Sequence, residues 1–276
     1  MTGRFVEVAD RVHVLREPLL AVNVTLVVGD GAALLVDTLS TAGQAAELAA
    51  AARAVTAAPW TVVNTHHHFD HCFGNATLAA DPPRPVYAHE RVAALLREHP
   101  ERLRREAYAE VRAGWPALAP ALAATELLAP THPVRGETVL DVGGRRVLLR
   151  HPGPGHTDGD LVVHVPDADV LVAGDLVEQG APPAFEDSYP LRWPDAVADL
   201  LRFTTPGTVV IPGHGTPVGA EFVRAQHRQL VELGGLIRSA HRAGTPAEQI
   251  AAGAPFGPQA ALVAARRGFA ELDGTL

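Results

Sequence analysis

The feature that most constrains the fold of this chain is a run of histidines that directly follows a predicted buried strand. Residues 64–71 read Asn-Thr-His-His-His-Phe-Asp-His, and the strand covers residues 60–64. Side chains alternate along an extended backbone, so His66 and His68 point the same way, and the aspartate and histidine that close the run follow closely enough to face the same cavity. Burying so many unpaired polar groups would cost several kcal/mol, and a divalent cation would satisfy them. A surface histidine tract or a purification tag is the alternative, and the internal position of the run before Gly74 argues against it.

Three further metal-capable side chains follow predicted strand ends downstream, each beside glycine. His156 comes after a Pro-Gly-Pro-Gly turn, Asp175 follows the strand at residues 170–173, and His214 lies between two glycines after the strand at residues 208–211. Each of these signals alone is more typical of a turn than of a ligand. Together they share one arrangement, in which glycine at a strand end lets the backbone and a ligand approach closely. Ligands of open α/β sheets bind at the carboxyl ends of strands, so we expect the three side chains to join the histidine run.

Strand-like and helix-like segments alternate along the whole chain, which predicts an α/β fold. The predicted strands are residues 5–8, 11–15, 23–28, 32–37, 60–64, 137–142, 146–150, 161–165, 170–173 and 208–211. The predicted helices are residues 41–55, a charged segment from about 89 to 114, 195–203, 220–243, and two more headed by Pro246 and Pro258. No linker or repeat interrupts the pattern. We therefore predict a single domain over residues 1–276, in which residues 244–276 form a helical C-terminal extension.

Composition narrows the class of protein. The chain has 276 residues, which is long enough to bury a sizeable core without disulfides, and its one cysteine excludes an intrachain bridge. The formal net charge of −8 argues against nucleic acid as a partner, because phosphate contacts need a basic face. All 23 basic residues are arginine, which excludes a mechanism that needs a lysine. Glu7 and Asp10 interrupt the N-terminal segment, and no uncharged apolar stretch reaches the roughly 18 residues of a membrane span, so we expect a cytoplasmic protein without a membrane partner.

On these motifs, the chain resembles the metallo-β-lactamase-fold hydrolases. The resemblance covers roughly residues 10–230 and includes Asp37 as the first motif carboxylate. It implies an αββα sandwich, in which two mixed β-sheets pack face to face, helices lie outside, and the metals lie at one sheet edge. It also implies the following roles: His66, His68 and His156 hold one metal; Asp70, His71 and His214 hold the second; Asp175 bridges both. In the same resemblance Asp37 hydrogen-bonds near the ligands without binding metal, and His67 is not a ligand.

The chemistry of these residues agrees with the resemblance. Imidazole and carboxylate ligands without a thiolate suit zinc, and also iron or manganese. A dinuclear zinc site can hold a bridging hydroxide at neutral pH, which would attack a carbonyl while one metal polarises its oxygen. Asp70 would act as the catalytic carboxylate that orients a water toward the leaving group. The expected activity is hydrolysis of a small-molecule ester, thioester, lactone or amide. Two alternatives stay open: a mononuclear iron enzyme with oxygen or sulfur chemistry, and a non-catalytic scaffold stabilised by metal.

Several weaker signals complete the prediction. Phe185, Tyr189, Arg192 and Trp193 lie in a proline-interrupted loop after Asp175, and they are candidates for a substrate pocket, although core packing explains the aromatic ones equally well. Cys72 follows the histidine run and is expected to be a small buried residue rather than a ligand. The C-terminal extension is compatible with a lid, a homodimer contact or a cover for the core.

Overall fold

Two mixed β-sheets pack against each other in the computed structural model, which describes residues 3–80, 82–251 and 253–276. The first sheet has the strand order β1-β2-β3-β4-β5-β6-β7, antiparallel from β1 to β4 and parallel from β4 to β7. Its strands are β1 (Val6–Ala9), β2 (Val12–Arg16), β3 (Asn23–Val28), β4 (Ala33–Val36), β5 (Trp60–Val63), β6 (Val86–His89) and β7 (His132–Val134).

The second sheet has the order β13-β12-β11-β10-β9-β8, in which only the pair β11 and β12 is parallel. Its strands are β8 (Glu137–Val142), β9 (Arg145–Arg150), β10 (Val162–Val165), β11 (Val170–Gly174), β12 (Val209–Pro212) and β13 (Val218–Gly219). The hairpin between β8 and β9 needs its two glycines. Gly143 and Gly144 have φ angles of 57° and 80°, and a Cβ on Gly143 would lie 2.4 Å from the carbonyl oxygen of Asp30.

Helices cover the outer faces of both sheets. They are α1 (Ala42–Val55), α2 (Phe69–Cys72), α3 (Asn75–Ala79), α4 (Glu90–Glu98), α5 (Pro100–Gly114), α6 (Ala119–Ala123), α7 (Trp193–Leu201), α8 (Ala220–Ala243), α9 (Ala247–Ala251) and α10 (Pro258–Asp273). The first of these begins where the side chain of Thr41 accepts a hydrogen bond from Gln44 N at 3.2 Å. None of the helices in the described part of the chain combines the length and the apolar character needed to cross a bilayer.

Among the described residues, apolar side chains on both faces of each sheet hold the sheets and helices together. Valines of both sheets, such as Val14, Val36, Val163 and Val172, fill the space between the sheets. Leucine and alanine side chains of α1 pack on the outer face of the first sheet, and those of α7, α8 and α10 pack on the outer face of the second. Strands whose two faces are both buried explain the continuous apolar runs, such as residues 33–36, that the sequence shows.

The predicted αββα sandwich is confirmed by this architecture. The short elements α2, α3, β6, β7 and β13 are absent from the prediction, because two to five residues carry too little periodicity to be recognised. The charged segment predicted as one helix is divided at His99 into α4 and α5, and Pro100 begins the second of these.

Candidate metal centre

Side chains selected from the sequence meet where strands of both sheets end. Asp37 follows β4, the histidine run follows β5, Asp175 follows β11 and His214 follows β12. The two sheets are joined at this edge by Asn23, whose amide N donates to Gly213 O at 2.8 Å and whose Nδ2 donates to Pro212 O at 2.9 Å. The loops that carry the candidate ligands therefore share one rigid edge of the sandwich.

The candidate ligands form two adjacent groups. In the first, one ligand atom from each residue lies within 4.8 Å of the others in the set His66, His68, His156 and Asp175. The same holds in the second for Asp70, His71 and His214. Asp175 contacts both groups, because its Oδ2 lies 3.5 Å from His156 Nε2 and 3.3 Å from His214 Nε2, and its Oδ1 lies 3.3 Å from His71 Nε2. All seven predicted ligands are thus brought together.

In four of the five histidines of the cluster, one ring nitrogen hydrogen-bonds to a group outside the cluster that can only accept. His71 Nδ1 lies 2.8 Å from Asp37 Oδ2, and His68 Nε2 lies 3.2 Å from Asp187 Oδ2. The remaining contacts are from His156 Nδ1 to the carbonyl oxygen of Ala184 at 3.2 Å and from His214 Nδ1 to that of Leu20 at 2.8 Å. Since carbonyls and carboxylates cannot donate, each of these outer nitrogens carries a proton, and the inner nitrogen of each ring faces the cluster as a candidate ligand atom.

His66 reaches the same state through a hydroxyl. The hydroxyl of Thr65 donates to Asp37 Oδ2 at 2.8 Å and so accepts from His66 Nδ1 at 2.9 Å. Within the cluster, His66 Nε2 and Asp175 Oδ1 are buried and have no hydrogen-bond partner. An orphaned buried polar atom costs about 1–3 kcal/mol. Inward-facing ring nitrogens and orphaned atoms on an imidazole and carboxylate donor set fit a divalent metal ion such as zinc, which would replace the protons on those nitrogens.

The electrostatics also describe a cation site. Burial lowers the pKa of His156 to about 3. Burial acts in the same direction on His71 and His214, but the charges of Asp175 and Asp70 outweigh it and raise the pKa of His71 to about 9 and that of His214 to about 11. The carboxylates therefore stabilise positive charge in their midst, which a bound metal ion would supply in place of protons.

Two neighbours of the run do not join the cluster. The Nε2 of His67 lies 3.2 Å from Asp187 Oδ2, outside the two ligand groups that contact Asp175, although His67, His68 and Asp187 form a third set of potential ligand atoms. Cys72 is buried, and its Sγ donates to the carbonyl oxygen of His67 at 3.2 Å, as expected for a structural residue. Asp187 itself was not selected from the sequence, because an acidic residue in a loop with no motif around it gives no signal.

A cavity of about 820 Å³ lies over the cluster. Its walls include Asp70, Asp175, His68, His156 and His214, together with Phe69 and Trp115 and the acidic side chains Glu110, Glu178, Glu186 and Asp187. Arg16 is the basic side chain among the described residues that line it. Helix α5 and the turn after it supply one wall, so the helical segment between β6 and β7 shapes the space that a substrate would enter.

The four residues predicted to form a substrate pocket do not line this cavity, which corrects that expectation. Phe185 and Trp193 are buried in the core beside the second sheet, with ring centroids 5.1 Å apart. Tyr189 is half-buried, and the exposed Arg192 pairs with Glu271 of α10. Burial in the core stabilises the aromatic side chains more than a solvent-exposed position on the cavity wall would. Core packing, the alternative stated for these residues above, therefore explains them.

Comparisons with known proteins agree with this geometry. The family model described as the metallo-beta-lactamase superfamily matches residues 18–216. The chain is 29% identical over 89 residues to the metallo-beta-lactamase type 2 of Bacillus cereus, covering 31% of this chain and 35% of that protein. It is 30% identical over 171 residues to the acyl-coenzyme A thioesterase MBLAC2 of Bos taurus, covering 59% of this chain and 58% of that protein. The chain thus spans between a third and three-fifths of these curated relatives.

Solved structures share the fold at low sequence identity. The metallo-beta-lactamase from Pontibacter korlensis aligns with a TM-score of 0.68 at 20% identity, covering 84% of this chain and 99% of that one. The stereoselective inverting sec-alkylsulfatase Pisa1 from Pseudomonas sp. aligns with a TM-score of 0.78 at 18% identity, covering 99% of this chain and 51% of that one.

Proposed function

The chain belongs to the metallo-β-lactamase superfamily, and on that premise we propose that it is a dinuclear metallohydrolase of small-molecule esters, thioesters, lactones or amides. One observation carries the proposal: five histidines, each with its outer nitrogen occupied, direct their other nitrogen into one cluster that also contains Asp70 and Asp175, beneath a cavity. A protein that only binds ligands has no need of seven preorganised donor groups at one point, whereas hydrolysis by a metal site does.

The proposed metal sites follow the two groups. His66, His68 and His156 would hold one ion, and Asp70, His71 and His214 would hold the other, with Asp175 shared between them. Zinc is the expected ion, with iron or manganese as alternatives that accept the same donors. Metal ions bound there would acidify a water molecule and polarise a carbonyl oxygen, which is the chemistry that hydrolysis requires.

Asp70 is the proposed catalytic residue of the chain. Its Oδ2 lies 3.4 Å from His214 Nε2 and 3.7 Å from His71 Nε2, and its side chain reaches the cavity wall. A carboxylate at this position can accept a proton from the attacking water and deliver it to the leaving group. Phe69 and Trp115 line the same cavity and would exclude bulk water from the reacting atoms.

The charge of the cavity wall at Glu110 and Glu186 supports a substrate that places no dense negative charge against that wall. Glu110 and Glu186 line the wall and have no hydrogen bond or ion pair within the described part of the chain. Burial, followed by the charges of nearby acids, raises the pKa of Glu110, which shows that the carboxylates repel one another. We therefore propose that the part of the substrate that lies against this wall is neutral or cationic, since an anionic group there would meet the same repulsion.

Elemental analysis of protein purified without added metal, combined with a substrate panel, tests this function. The panel pairs neutral, cationic and anionic forms of one ester with a thioester, a lactone and an amide. We expect about two equivalents of zinc, loss of turnover on chelation and recovery on adding zinc back. His68→Ala and Asp70→Asn should be inactive but folded, while the matched control His99→Ala, at an exposed helix start, should retain full activity. One equivalent of iron with oxygen consumption and no hydrolysis would favour the mononuclear alternative, and unfolding without any turnover would favour a metal-stabilised scaffold.

A further inference from the structure

The loop between β11 and α7 is held from outside by the C-terminal helices. Arg267 of α10 donates two hydrogen bonds to the carbonyl oxygen of Ser188, from Nε at 3.0 Å and from Nη2 at 2.9 Å. Ser188 is fully buried, so its carbonyl depends on this guanidinium for the hydrogen bonds that water would otherwise supply. The arginine side chain thus fixes one point of the loop main chain.

A second point is fixed three residues further on. Glu271 of α10 accepts a hydrogen bond from the amide N of Leu191 at 3.0 Å and pairs with Arg192 Nε at 3.2 Å. The side chain of Glu271 is 8% exposed. Arg238 of α8 donates to the carbonyl oxygen of Leu191 at 3.0 Å. The backbone N–H and C=O of Leu191 are therefore both satisfied by charged side chains, which make stronger hydrogen bonds than neutral groups do.

Close contact between α8 and α10 keeps these side chains in place. A Cβ on Gly268, the neighbour of Arg267, would lie 2.7 Å from Cγ2 of Ile237 in α8. The absence of a side chain at Gly268 therefore lets the two helices approach directly behind the loop. The family match ends at residue 216, so both helices lie outside the matched part of the chain.

The inner face of the same loop contacts the candidate metal centre. Asp187, which directly precedes Ser188, lies 3.2 Å from His68 Nε2. The carbonyl oxygen of Ala184 lies 3.2 Å from His156 Nδ1. The hydroxyl of Ser188 donates to the carbonyl oxygen of Phe185 at 3.0 Å, which makes this stretch one hydrogen-bonded unit. Helix α10 therefore holds one face of the loop while the other face orients two candidate ligands.

We infer that Arg267 and Glu271 are positioning residues of the metal centre: they fix the loop so that Asp187 and the Ala184 carbonyl hold His68 and His156 in their ligand orientation. The inference rests on the proposed function for the metal itself. Such outer partners of ligating histidines typically change metal affinity by about 10–100-fold. It gives the C-terminal extension a role in the site, beyond the cover for the core that its apolar face provides.

Adjacent arginines in α10 provide a matched test. Arg266 pairs at 2.8 Å with Glu248 of α9 and is exposed, so Arg266→Ala removes an arginine from the same helix without touching the loop. Two properties are measured on both variants: hydrogen–deuterium exchange of residues 184–192 in metal-free protein, and zinc affinity by competition with a chromophoric chelator. We expect faster exchange and about tenfold weaker zinc binding for Arg267→Ala, and neither change for Arg266→Ala.

Further variants separate positioning from a loss of folding. Arg267→Lys keeps one donor and should recover part of the affinity, and Glu271→Gln is a milder substitution if Arg267→Ala does not fold. Adding Arg267→Ala to Asp187→Asn should cause a smaller further loss of affinity than Arg267→Ala causes alone, because the contact on His68 is already weakened and only the Ala184 contact on His156 remains to be lost. Equal zinc affinity of the Arg266 and Arg267 variants would overturn this inference and leave the proposed function intact. A wild-type protein that binds no zinc would overturn the proposed function and, with it, the role in metal binding.

Discussion

The carboxylate of Asp37 holds His71 by a hydrogen bond of 2.8 Å between Oδ2 and Nδ1. The other oxygen of the carboxylate accepts from the amide N of Thr65 at 2.7 Å, so the ends of β4 and β5 are tied together through one buried side chain. Asp37 adopts a φ angle of 68°, a conformation that costs free energy for a residue other than glycine. The strain is tolerated because this backbone turn directs the carboxylate at both partners.

Replacing Asp37 by asparagine should weaken metal binding by about 10–100-fold. An amide has one acceptor oxygen, so it cannot accept from Thr65 and also fix the tautomer of His71 as the carboxylate does. The dissociation constant for zinc, from chelator competition, measures the effect. Asp30→Asn is the control, because Asp30 forms an exposed ion pair with Arg11 far from the cluster. Unchanged zinc affinity in Asp37→Asn would show that the orientation of His71 does not depend on Asp37.

Removing the metal should lower the thermal stability of the protein. A ligand that binds only the folded state adds about 2.7 kcal/mol of stability when its free concentration is one hundred times the dissociation constant. The gain should come from the cluster, where His66 Nε2 and Asp175 Oδ1 otherwise stay orphaned. Differential scanning calorimetry with added zinc or excess chelator measures the shift in Tm. The shift should shrink in His66→Ala, which leaves only the second ligand group intact, and an unchanged shift there would locate the stabilising metal outside the first group.

Much of this site could be predicted from the sequence because the strands that precede its ligands have recognisable residue patterns. Short runs of apolar and β-branched residues locate β4, β5, β11 and β12, and the ends of such strands are where the ligands lie. Spacing then selects the side chains, since His66 and His68 are two residues apart on extended backbone. Local patterns of this kind can be recognised without knowledge of the tertiary structure. All seven predicted ligands meet in the fold.

The supporting contacts could not be predicted, because they join residues far apart in sequence. Asp187 reaches His68 across 119 positions, and Arg267 reaches Ser188 across 79. An isolated acid in a loop, or an arginine on a helix, has the same appearance as any solvated charge. The aromatic side chains of that loop misled the pocket prediction for a related reason, since sequence does not show whether Phe185 faces the cavity or the core.

Stability should fall as the pH decreases from about 6.5 to about 4, in part because of His89. This side chain stacks on His151 with ring centroids 4.0 Å apart, and burial, followed by the charge of His151, lowers the pKa of His89 to about 4. Below pH 6.5 the unfolded chain binds a proton that the folded protein does not take up until about pH 4, so the unfolded state is favoured in that window. One such group changes the free energy of unfolding by up to about 1.4 kcal/mol per pH unit.

His89→Phe keeps the stacked ring and removes the proton, so it should flatten this pH dependence. Urea unfolding of metal-free protein at pH 7.5, 6 and 5 gives the free energy of unfolding for the wild type and the variant. The exposed His132 provides the control His132→Phe, which should leave the slope unchanged. Parallel slopes for His89→Phe and the wild type would mean that His89 is protonated in the folded protein at pH 5.

Glycine at position 213 should be required for metal binding. A Cβ there would lie 1.6 Å from Asp175 Oδ1 and 2.8 Å from Asp175 Cγ, so Gly213→Ala must displace the one carboxylate that both ligand groups share. We expect a loss of zinc affinity of at least about tenfold and an overpacking cost of about 1–3 kcal/mol.

Gly207→Ala is the matched control on the other side of β12, because the nearest atoms to a Cβ there lie at 3.5 and 3.7 Å, an ordinary contact distance. Zinc content per chain and the urea midpoint should be altered by Gly213→Ala and be close to wild type for Gly207→Ala. Asp175 is the one side chain among the atoms nearest to a Cβ at Gly213, so the substitution acts on that carboxylate. Full zinc content in Gly213→Ala would show that metal binding does not depend on Asp175. The proposed sharing of its carboxylate would then have to be abandoned.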